Sequence, residues 1–133
     1  FSLKEHLDII KAENNTNWQE AFSIFRAETF EKTPVRKLST GQEMMASIIV
    51  ACASNSEFIY LDEPFASLDP NNAENLVKIL KNLRKTIIIT SHDLYLTTEV
   101  ADKILFIKDG KISWQSENKI DVEELKTAYK DFA

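Results

Sequence analysis

The segment from Leu38 to Asp69 constrains the fold of this chain more than any other part of the sequence. Its central feature is a short apolar run of strand formers, Phe58-Ile59-Tyr60-Leu61, which ends in the adjacent carboxylates Asp62 and Glu63. Ligands of a parallel sheet bind beyond the carboxyl ends of its strands. The pattern therefore predicts that Asp62 holds Mg²⁺, directly or through water, and that Glu63 orients or deprotonates a water molecule. Strands that end in an acidic turn are also common, and it is the segment upstream that favours the functional interpretation.

The residues before that strand predict a helix with a capped N-terminus. Ser39 followed three residues later by Gln42 is a capping-box pattern, in which the serine oxygen accepts a hydrogen bond from a first-turn backbone N–H. Gly41 lies in this first turn, where the missing side chain lets another molecule approach the backbone. The N-terminus of a helix attracts anions. By itself, this pattern more often marks an ordinary capped helix.

A second strand, expected to be buried, is predicted at Thr86-Ile87-Ile88-Ile89-Thr90, and it leads directly into Ser91-His92-Asp93. An amphipathic helix beginning at Pro70 separates the two strands, which favours an α/β layer. A histidine at the carboxyl end of a neighbouring strand could hydrogen-bond a terminal phosphate. A lone histidine is more often a structural residue, so both interpretations of His92 stay open on the residues alone.

Further patterns predict the remaining elements. Ser2 caps a first helix, a polar break follows at Asn14-Asn15-Thr16-Asn17, and a second helix extends from Trp18 to Phe30. Later in the chain, Asp109-Gly110 predicts a hairpin turn between two strands, and the last helix is expected at Val122 to Phe132.

Composition excludes several classes of protein. A net charge of −5 without a long basic run argues against a nucleic-acid groove. The single cysteine, Cys52, is expected to be buried and reduced, as in the cytoplasm. No apolar run approaches the ~20 residues of a membrane-spanning helix, so any association with a membrane is expected to go through a partner.

Taken together, these motifs resemble the C-terminal part of an ATP-binding cassette (ABC) ATPase domain. Leu38-Ser39-Thr40-Gly41-Gln42 resembles the signature loop of that family, usually Leu-Ser-Gly-Gly-Gln. The segment from Phe58 to Glu63 resembles the Walker B strand with the glutamate that follows it. Ala66-Ser67-Leu68-Asp69 is similar to the D-loop, and His92 to the switch histidine. The four motifs follow one another in the order that the family shows.

The resemblance implies an α/β, P-loop NTPase-like fold, present here as a partial domain. Residues 1–53 would form the helical subdomain with the signature helix, and residues 54–133 part of the mostly parallel sheet core. Thr40 replaces the first glycine of the signature, which adds a Cβ near the phosphate. The phosphate-binding Gly-x-x-x-x-Gly-Lys-[Ser/Thr] motif does not occur in these 133 residues. We therefore expect the chain to be part of a longer protein and inactive alone.

ABC domains pair head to tail, with each ATP between the P-loop of one chain and the signature loop of the other. For this chain the resemblance implies that the signature residues contact the ATP bound by the partner, with the Ser39 side chain and the Gly41 backbone N–H on the γ-phosphate. The residues concerned are Ser39, Thr40, Gly41 and Gln42. In the chain's own site, the resemblance implies that Asp62 serves Mg²⁺, Glu63 polarises the attacking water and His92 holds the γ-phosphate. The D-loop would contact the partner across the dimer through Ser67, Leu68 and Asp69.

The function implied is that of the ATP-binding and ATP-hydrolysing subunit of an ABC membrane transporter, with ATP and Mg²⁺ as cofactors. The expected partners are a second ABC ATPase domain and a transmembrane transporter subunit or domain, at the cytoplasmic face of the membrane, without nucleic acid. A non-hydrolytic regulatory module that donates its signature loop is one alternative. The other is the lobe of an SMC-type DNA-repair ATPase, which Gln42 and the absence of heptads and of a basic face disfavour.

Overall fold

The computed structural model describes residues 1–12 and 17–133. Of the break predicted at residues 14–17, residues 14–16 lie outside the described residues, and Asn17 is the first residue of a helix. The described residues form two compact units, Phe1–Thr90 and Ser91–Ala133. The division predicted after residue 53 concerns the subdomains of a complete ATPase domain and stays a prediction. The first unit contains α1 (Leu3–Ile9), α2 (Asn17–Ile24), α3 (Thr40–Ala53), β1 (Phe58–Asp62), α4 (Pro70–Asn82) and β2 (Thr86–Thr90). The second unit contains α5 (Leu94–Val100), β3 (Leu105–Lys108), β4 (Lys111–Gln115) and α6 (Val122–Phe132).

Local sequence sets where α1 begins. The Ser2 hydroxyl accepts from the backbone N–H of Glu5 at 3.3 Å, and the Glu5 carboxylate accepts from the backbone N–H of Ser2 at 2.7 Å. This reciprocal capping box confirms the cap predicted from the sequence. Because the carboxylate accepts this backbone N–H, the pKa of Glu5 is lowered from its ordinary value.

The second helix is shorter than its apolar spacing predicts. Instead of continuing to Phe30, α2 ends at Ile24, and Arg26 adopts a left-handed backbone with φ of +53°. A short 3₁₀ turn, Ala27–Thr29, then follows. The side chain of Phe30 is nevertheless buried. The apolar spacing in this segment indicates which residues are buried, but it does not show that the helix is continuous. The prediction of a helix up to Phe30 was therefore wrong after Ile24.

The core of the first unit is built on α3, which packs against α1 and α2, while α4 packs against α2. The most completely buried side chains of the two longest helices include those of Ile48, Ile49, Cys52 and Leu76. Burial raises the pKa of the Cys52 thiol to about 11. Since the thiolate is the reactive form, this cysteine is protonated at neutral pH and serves as a packing residue.

The strands β1 and β2 pair in parallel, with Phe58 opposite Thr86 and Asp62 opposite Thr90. The expectation that β2 is buried was wrong, because Ile88 is 56% exposed. Its partner on β1, Tyr60, is 63% exposed. These side chains share one face of a sheet that has two strands in the part of the chain that the structure describes. Parallel strands are normally covered on both faces, which is why their composition is apolar even though this face is open here.

Lys85, which precedes β2, ties the end of α3 to the rest of the first unit. Its ammonium donates to the carbonyl oxygens of Ser54 and Ser56, both at 2.6 Å. The last carbonyls of a helix have no partner within the helix, and a cation near them is favourable. No pattern in the sequence predicts this contact.

We expect Lys85→Met to lower the free energy of unfolding of the intact protein by about 1.5–3 kcal/mol, the usual contribution of a charged hydrogen bond. Methionine keeps the apolar stem but cannot donate. Denaturant titration measures the change, with Lys78→Met on the exposed face of α4 as the control. Equal losses from the two substitutions would contradict a specific contribution from the Lys85 contacts.

The second unit is organised by a hairpin and two helices. Asp109 and Gly110 both have positive φ, +50° and +73°, as a two-residue hairpin turn of the primed type requires. This confirms the predicted turn between β3 and β4. The Phe106 ring packs against Trp114 on the opposite strand and Tyr129 on α6, with ring centroids 4.8 and 5.8 Å away. Across residues 1–12 and 17–133, no helix has both the length and the apolar character needed to span a bilayer.

Candidate functional site

The carboxyl ends of β1 and β2 bring Asp62 and Thr90 face to face. The two residues are partners in the parallel register. The Thr90 hydroxyl donates to Oδ1 of Asp62, with 2.5 Å between the two oxygens. The Asp62 side chain is exposed, as a carboxylate that binds a metal in an open site must be. Asp62 is the last residue of β1, at the carboxyl end of the strand where the sequence predicts it, and its binding of a metal stays a prediction.

Glu63 lies on the same edge in an unusual backbone conformation. Its φ is +45°, in the left-handed region that residues with a Cβ rarely adopt. Its backbone N–H points back to β2 and donates to the Thr90 hydroxyl at 2.9 Å and to the Thr90 carbonyl at 3.2 Å. The next residue, Pro64, is fully buried and anchors the turn that leaves the sheet. The chain direction at Glu63 is thus fixed on both sides.

The start of α3 carries the predicted capping box. The Ser39 hydroxyl accepts from the backbone N–H of Gln42 at 3.1 Å, and the Gln42 side-chain oxygen accepts from the backbone N–H of Ser39, also at 3.1 Å. Ser39 and Thr40 are exposed, while Gly41 and Gln42 are half-buried. The structure confirms the cap, and the contact of these residues with a phosphate stays a prediction.

Gly41 brings the start of α3 against the segment that follows Glu63. A Cβ built on Gly41 would lie 3.1 Å from the backbone carbonyl oxygen of Ser67. That distance is shorter than ordinary van der Waals contact, so the two backbones touch because Gly41 has no side chain. Two of the motifs singled out in the sequence are therefore direct neighbours within one chain.

Asp69 closes this segment by capping α4. Its carboxylate accepts from the backbone N–H of Asn72 at 2.9 Å and from the side-chain amide of the same residue at 2.8 Å. The Asn72 backbone N–H, followed by the Asn72 side chain, lowers the pKa of Asp69. The carboxylate is therefore ionised at neutral pH and already has a structural role within the chain. Its contact across a dimer stays a prediction, as do those of Ser67 and Leu68.

His92 belongs to the second unit, in the loop before α5, and its side chain is exposed. The adjacent Asp93 caps α5, accepting from the backbone N–H of Leu96 at 2.8 Å. The backbone N–H of Asp93 in turn donates to the Ser91 hydroxyl at 3.0 Å. These local bonds fix the backbone that follows His92. Its predicted contact with a phosphate stays a prediction.

Comparison with known proteins shows which family has this arrangement. Residues 2–98 match the model of the family described as "AAA domain, putative AbiEii toxin, Type IV TA system". The chain is also 38% identical over 129 residues to the energy-coupling factor transporter ATP-binding protein EcfA of Methanocaldococcus jannaschii. That match covers 92% of this chain and 46% of EcfA. The chain belongs to this AAA domain family and corresponds to part of an ABC ATPase domain.

Solved structures agree with this assignment and confirm the predicted P-loop NTPase-like fold. The dimeric structure of MJ0796, a bacterial ABC transporter cassette, matches the ABC ATPase chain with a TM-score of 0.64 and 26% identity, over 74% of this chain and 45% of the cassette. The structure of cbiO1 from Clostridium perfringens, part of the ABC transporter complex cbiONQ, matches with a TM-score of 0.61 and 26% identity. That alignment covers 86% of this chain and 46% of cbiO1. The ABC ATPase chain thus spans about half the length of the relatives that it matches.

One residue of this edge was missed in the sequence. Thr90 contacts both Asp62 and Glu63, yet it reads as the last residue of an apolar strand. The available signal was its register, since two parallel strands that end together place their final residues side by side. A hydroxyl opposite a carboxylate is then a hydrogen-bond donor within reach.

Proposed function

We propose that, in the intact protein, this chain belongs to the ATP-binding subunit of a membrane transporter and takes part in ATP hydrolysis. The observation that carries the proposal is the acidic pair Asp62–Glu63 at the carboxyl end of β1, held to β2 through Thr90. The relatives support it, since EcfA is a transporter ATP-binding protein and cbiO1 is part of a transporter complex.

The donor set fits Mg²⁺ as the metal of this site. The described residues hold no group of three or more histidine, cysteine or acidic side chains that could enclose an ion. In phosphate-transferring sites Mg²⁺ takes one or two carboxylates and fills its remaining positions with water and substrate phosphate oxygens. A single exposed carboxylate, Asp62, on a strand end meets that requirement. When bound, Mg²⁺ would neutralise charge on the phosphates.

The residues of the chain then have separate tasks at the phosphate. Asp62 would bind the metal directly or through water, and Glu63 would accept a hydrogen bond from the attacking water and draw its proton away. His92 would donate to the γ-phosphate. Transfer of a phosphoryl group depends mainly on such positioning and charge neutralisation. The fixed backbone of Glu63 supports this role, because it limits the directions that its side chain can take.

The signature residues would act on the ATP of a second ATPase domain. Ser39 caps a 14-residue helix and the backbone N–H of Gly41 lies in its first turn, where N–H groups and the helix dipole favour an anion. Thr40 and Gln42 would flank that contact, and Ser67, Leu68 and Asp69 would lie at the interface with the partner. The dimeric state of the related bacterial cassette supports pairing with a second ATPase domain. In this proposal the two domains pair head to tail. A transmembrane subunit would place the assembly at the cytoplasmic face of a membrane.

The test is ATP turnover by the intact protein purified with its neighbouring domains. We expect hydrolysis that requires Mg²⁺, stops when EDTA removes the metal and resumes when Mg²⁺ is restored. The assay measures released phosphate, with ATP binding followed separately by a fluorescent ATP analogue. Tight ATP binding without turnover would contradict the hydrolytic role and support the non-hydrolytic module. The absence of both would contradict the proposal as a whole.

A further inference from the structure

The hydroxyl of Thr90 is placed to serve both acidic residues at once. A threonine hydroxyl has one hydrogen to donate and lone pairs to accept. Thr90 uses the hydrogen on Oδ1 of Asp62 at 2.5 Å and a lone pair for the backbone N–H of Glu63 at 2.9 Å. The bond to the carboxylate has the short length of a charge-assisted O–H···O⁻ contact. One side chain on β2 therefore joins the last residue of β1 and the residue that follows it.

These two bonds restrain different degrees of freedom. The bond to Asp62 limits rotation of an exposed carboxylate that otherwise has several rotamers. The bond to the Glu63 N–H helps to hold a left-handed backbone, which is disfavoured for a residue with a Cβ. The Thr90 carbonyl accepts from the same N–H at 3.2 Å, so the backbone pairing itself does not depend on the hydroxyl. Replacing the Thr90 side chain can therefore remove the two bonds of the hydroxyl while the bond of the Thr90 carbonyl is kept.

We propose that Thr90 is a positioning residue that sets the orientation of the metal-binding Asp62 carboxylate and of the backbone that carries the water-polarising Glu63. This inference rests on the proposed function, because it assigns Asp62 and Glu63 the roles given above. Thr90 touches neither metal nor substrate in this scheme. It acts by coupling the Asp62 side chain to the Glu63 backbone, so that the direction of the Asp62 carboxylate and the direction of the chain at Glu63 are set by the same group.

The experiment compares three single substitutions in the intact protein. Thr90→Val keeps the shape and removes the hydroxyl, while Thr90→Ser keeps the hydroxyl. Thr86→Val at the other end of β2 is the matched control, because the Thr86 hydroxyl makes no hydrogen bond with the residues that the structure describes. Turnover is measured against both ATP and Mg²⁺ concentration, and the melting temperature is measured for each variant.

For Thr90→Val we expect kcat to fall about tenfold, as the loss of one charge-assisted hydrogen bond predicts. The Mg²⁺ concentration for half-maximal turnover should rise several-fold, with the KM for ATP unchanged. Thr90→Ser and Thr86→Val should both behave as the wild type. A purely structural role would lower the melting temperature without changing the Mg²⁺ response. That result, or a Thr90→Ser variant as impaired as Thr90→Val, would overturn the proposal.

A second readout does not depend on activity. Crystal structures of the intact wild type and of Thr90→Val should differ at two points. In the variant, the Asp62 carboxylate should adopt a different rotamer, and the Glu63 N–H should donate only to the backbone carbonyl of residue 90. An unchanged Asp62 rotamer would overturn the positioning role. If the wild type hydrolyses no ATP, the proposed function fails, and the structural comparison still decides whether the hydroxyl orients the pair.

Discussion

Replacing Glu63 with glutamine in the intact protein should lower kcat for ATP hydrolysis by about 10²–10⁴-fold, the usual contribution of a general base. Glutamine has nearly the same shape but cannot take a proton from water. ATP binding should persist, because the substitution leaves the phosphate-binding groups in place, and ATP-bound dimers should accumulate. Phosphate release under saturating ATP measures the first effect, and light scattering with and without ATP measures the second.

The matched control for Glu63→Gln is Glu57→Gln, since Glu57 is an exposed carboxylate that immediately precedes β1. This control removes one negative charge from the amino end of the same strand and should leave turnover unchanged. Full activity in Glu63→Gln would show that another group activates the water. Equal losses in both variants would point to net charge and not to the position of Glu63.

The second large effect is expected at Ser39, whose proposed role is on the ATP of the partner. Ser39→Asp should lower turnover by about two orders of magnitude, because two like charges about 4 Å apart at intermediate dielectric repel by several kcal/mol. Aspartate is as good an N-cap as serine, and a negative charge at a helix N-terminus is favourable. The fold of α3 should therefore be preserved. Turnover and the free energy of unfolding are measured on the same preparations.

Ser39→Ala is the control that separates the cap from the phosphate contact. Alanine loses the 3.1 Å bond to the Gln42 backbone N–H and should lower the free energy of unfolding by about 1 kcal/mol. It introduces no charge and should retain more turnover than Ser39→Asp. The opposite ranking of the two variants in activity would contradict a contact between Ser39 and phosphate.

Mixing two inactive variants decides whether the contact is made to the partner's nucleotide. Consider a dimer in which one subunit carries Ser39→Asp and the other carries Glu63→Gln. If Ser39 contacts the partner's nucleotide, both substitutions fall in the same ATP site and the other ATP site is unaltered. Random pairing should then restore up to about a quarter of the wild-type turnover, as expected for a symmetric dimer with two equivalent sites. A dimer that carries both substitutions on one subunit should stay inactive. Restoration in that second dimer instead would place Ser39 and Glu63 in the same site.

The features that the sequence predicted correctly depend on nearby residues. The caps at Ser2 and Ser39 need a partner only three positions away, and the turn at Asp109-Gly110 needs two residues that tolerate positive φ. The strand ending at Asp62 follows from a run of strand formers that a charged pair closes. Each of these is decided by local conformational preference, so a single sequence is enough to predict it.

The features that the sequence did not reveal depend on distant residues. The end of α2 at Ile24 was hidden because two pairs of buried residues keep helical spacing across it. Phe25 lies four residues after Ala21, and Phe30 lies three residues after Ala27. The contact of Thr90 with Glu63 spans 27 positions, and that of Lys85 with Ser54 spans 31. Such pairs are set by the register of the strands and the packing of the helices. The sequence alone does not predict these contacts, because they form only in the folded chain.

The close approach of Gly41 to Ser67 shows which position of the signature loop is least tolerant of substitution. The family usually has glycine at the position that Thr40 occupies here, and the Thr40 side chain is exposed. At position 41 even a methyl group would press on the Ser67 carbonyl oxygen at 3.1 Å. In a mutational scan of this loop, position 40 should therefore accept small polar residues, while each replacement of Gly41 would displace the backbone ahead of α4. The Ser67 carbonyl oxygen therefore limits which residues position 41 can accept, even when no nucleotide is bound.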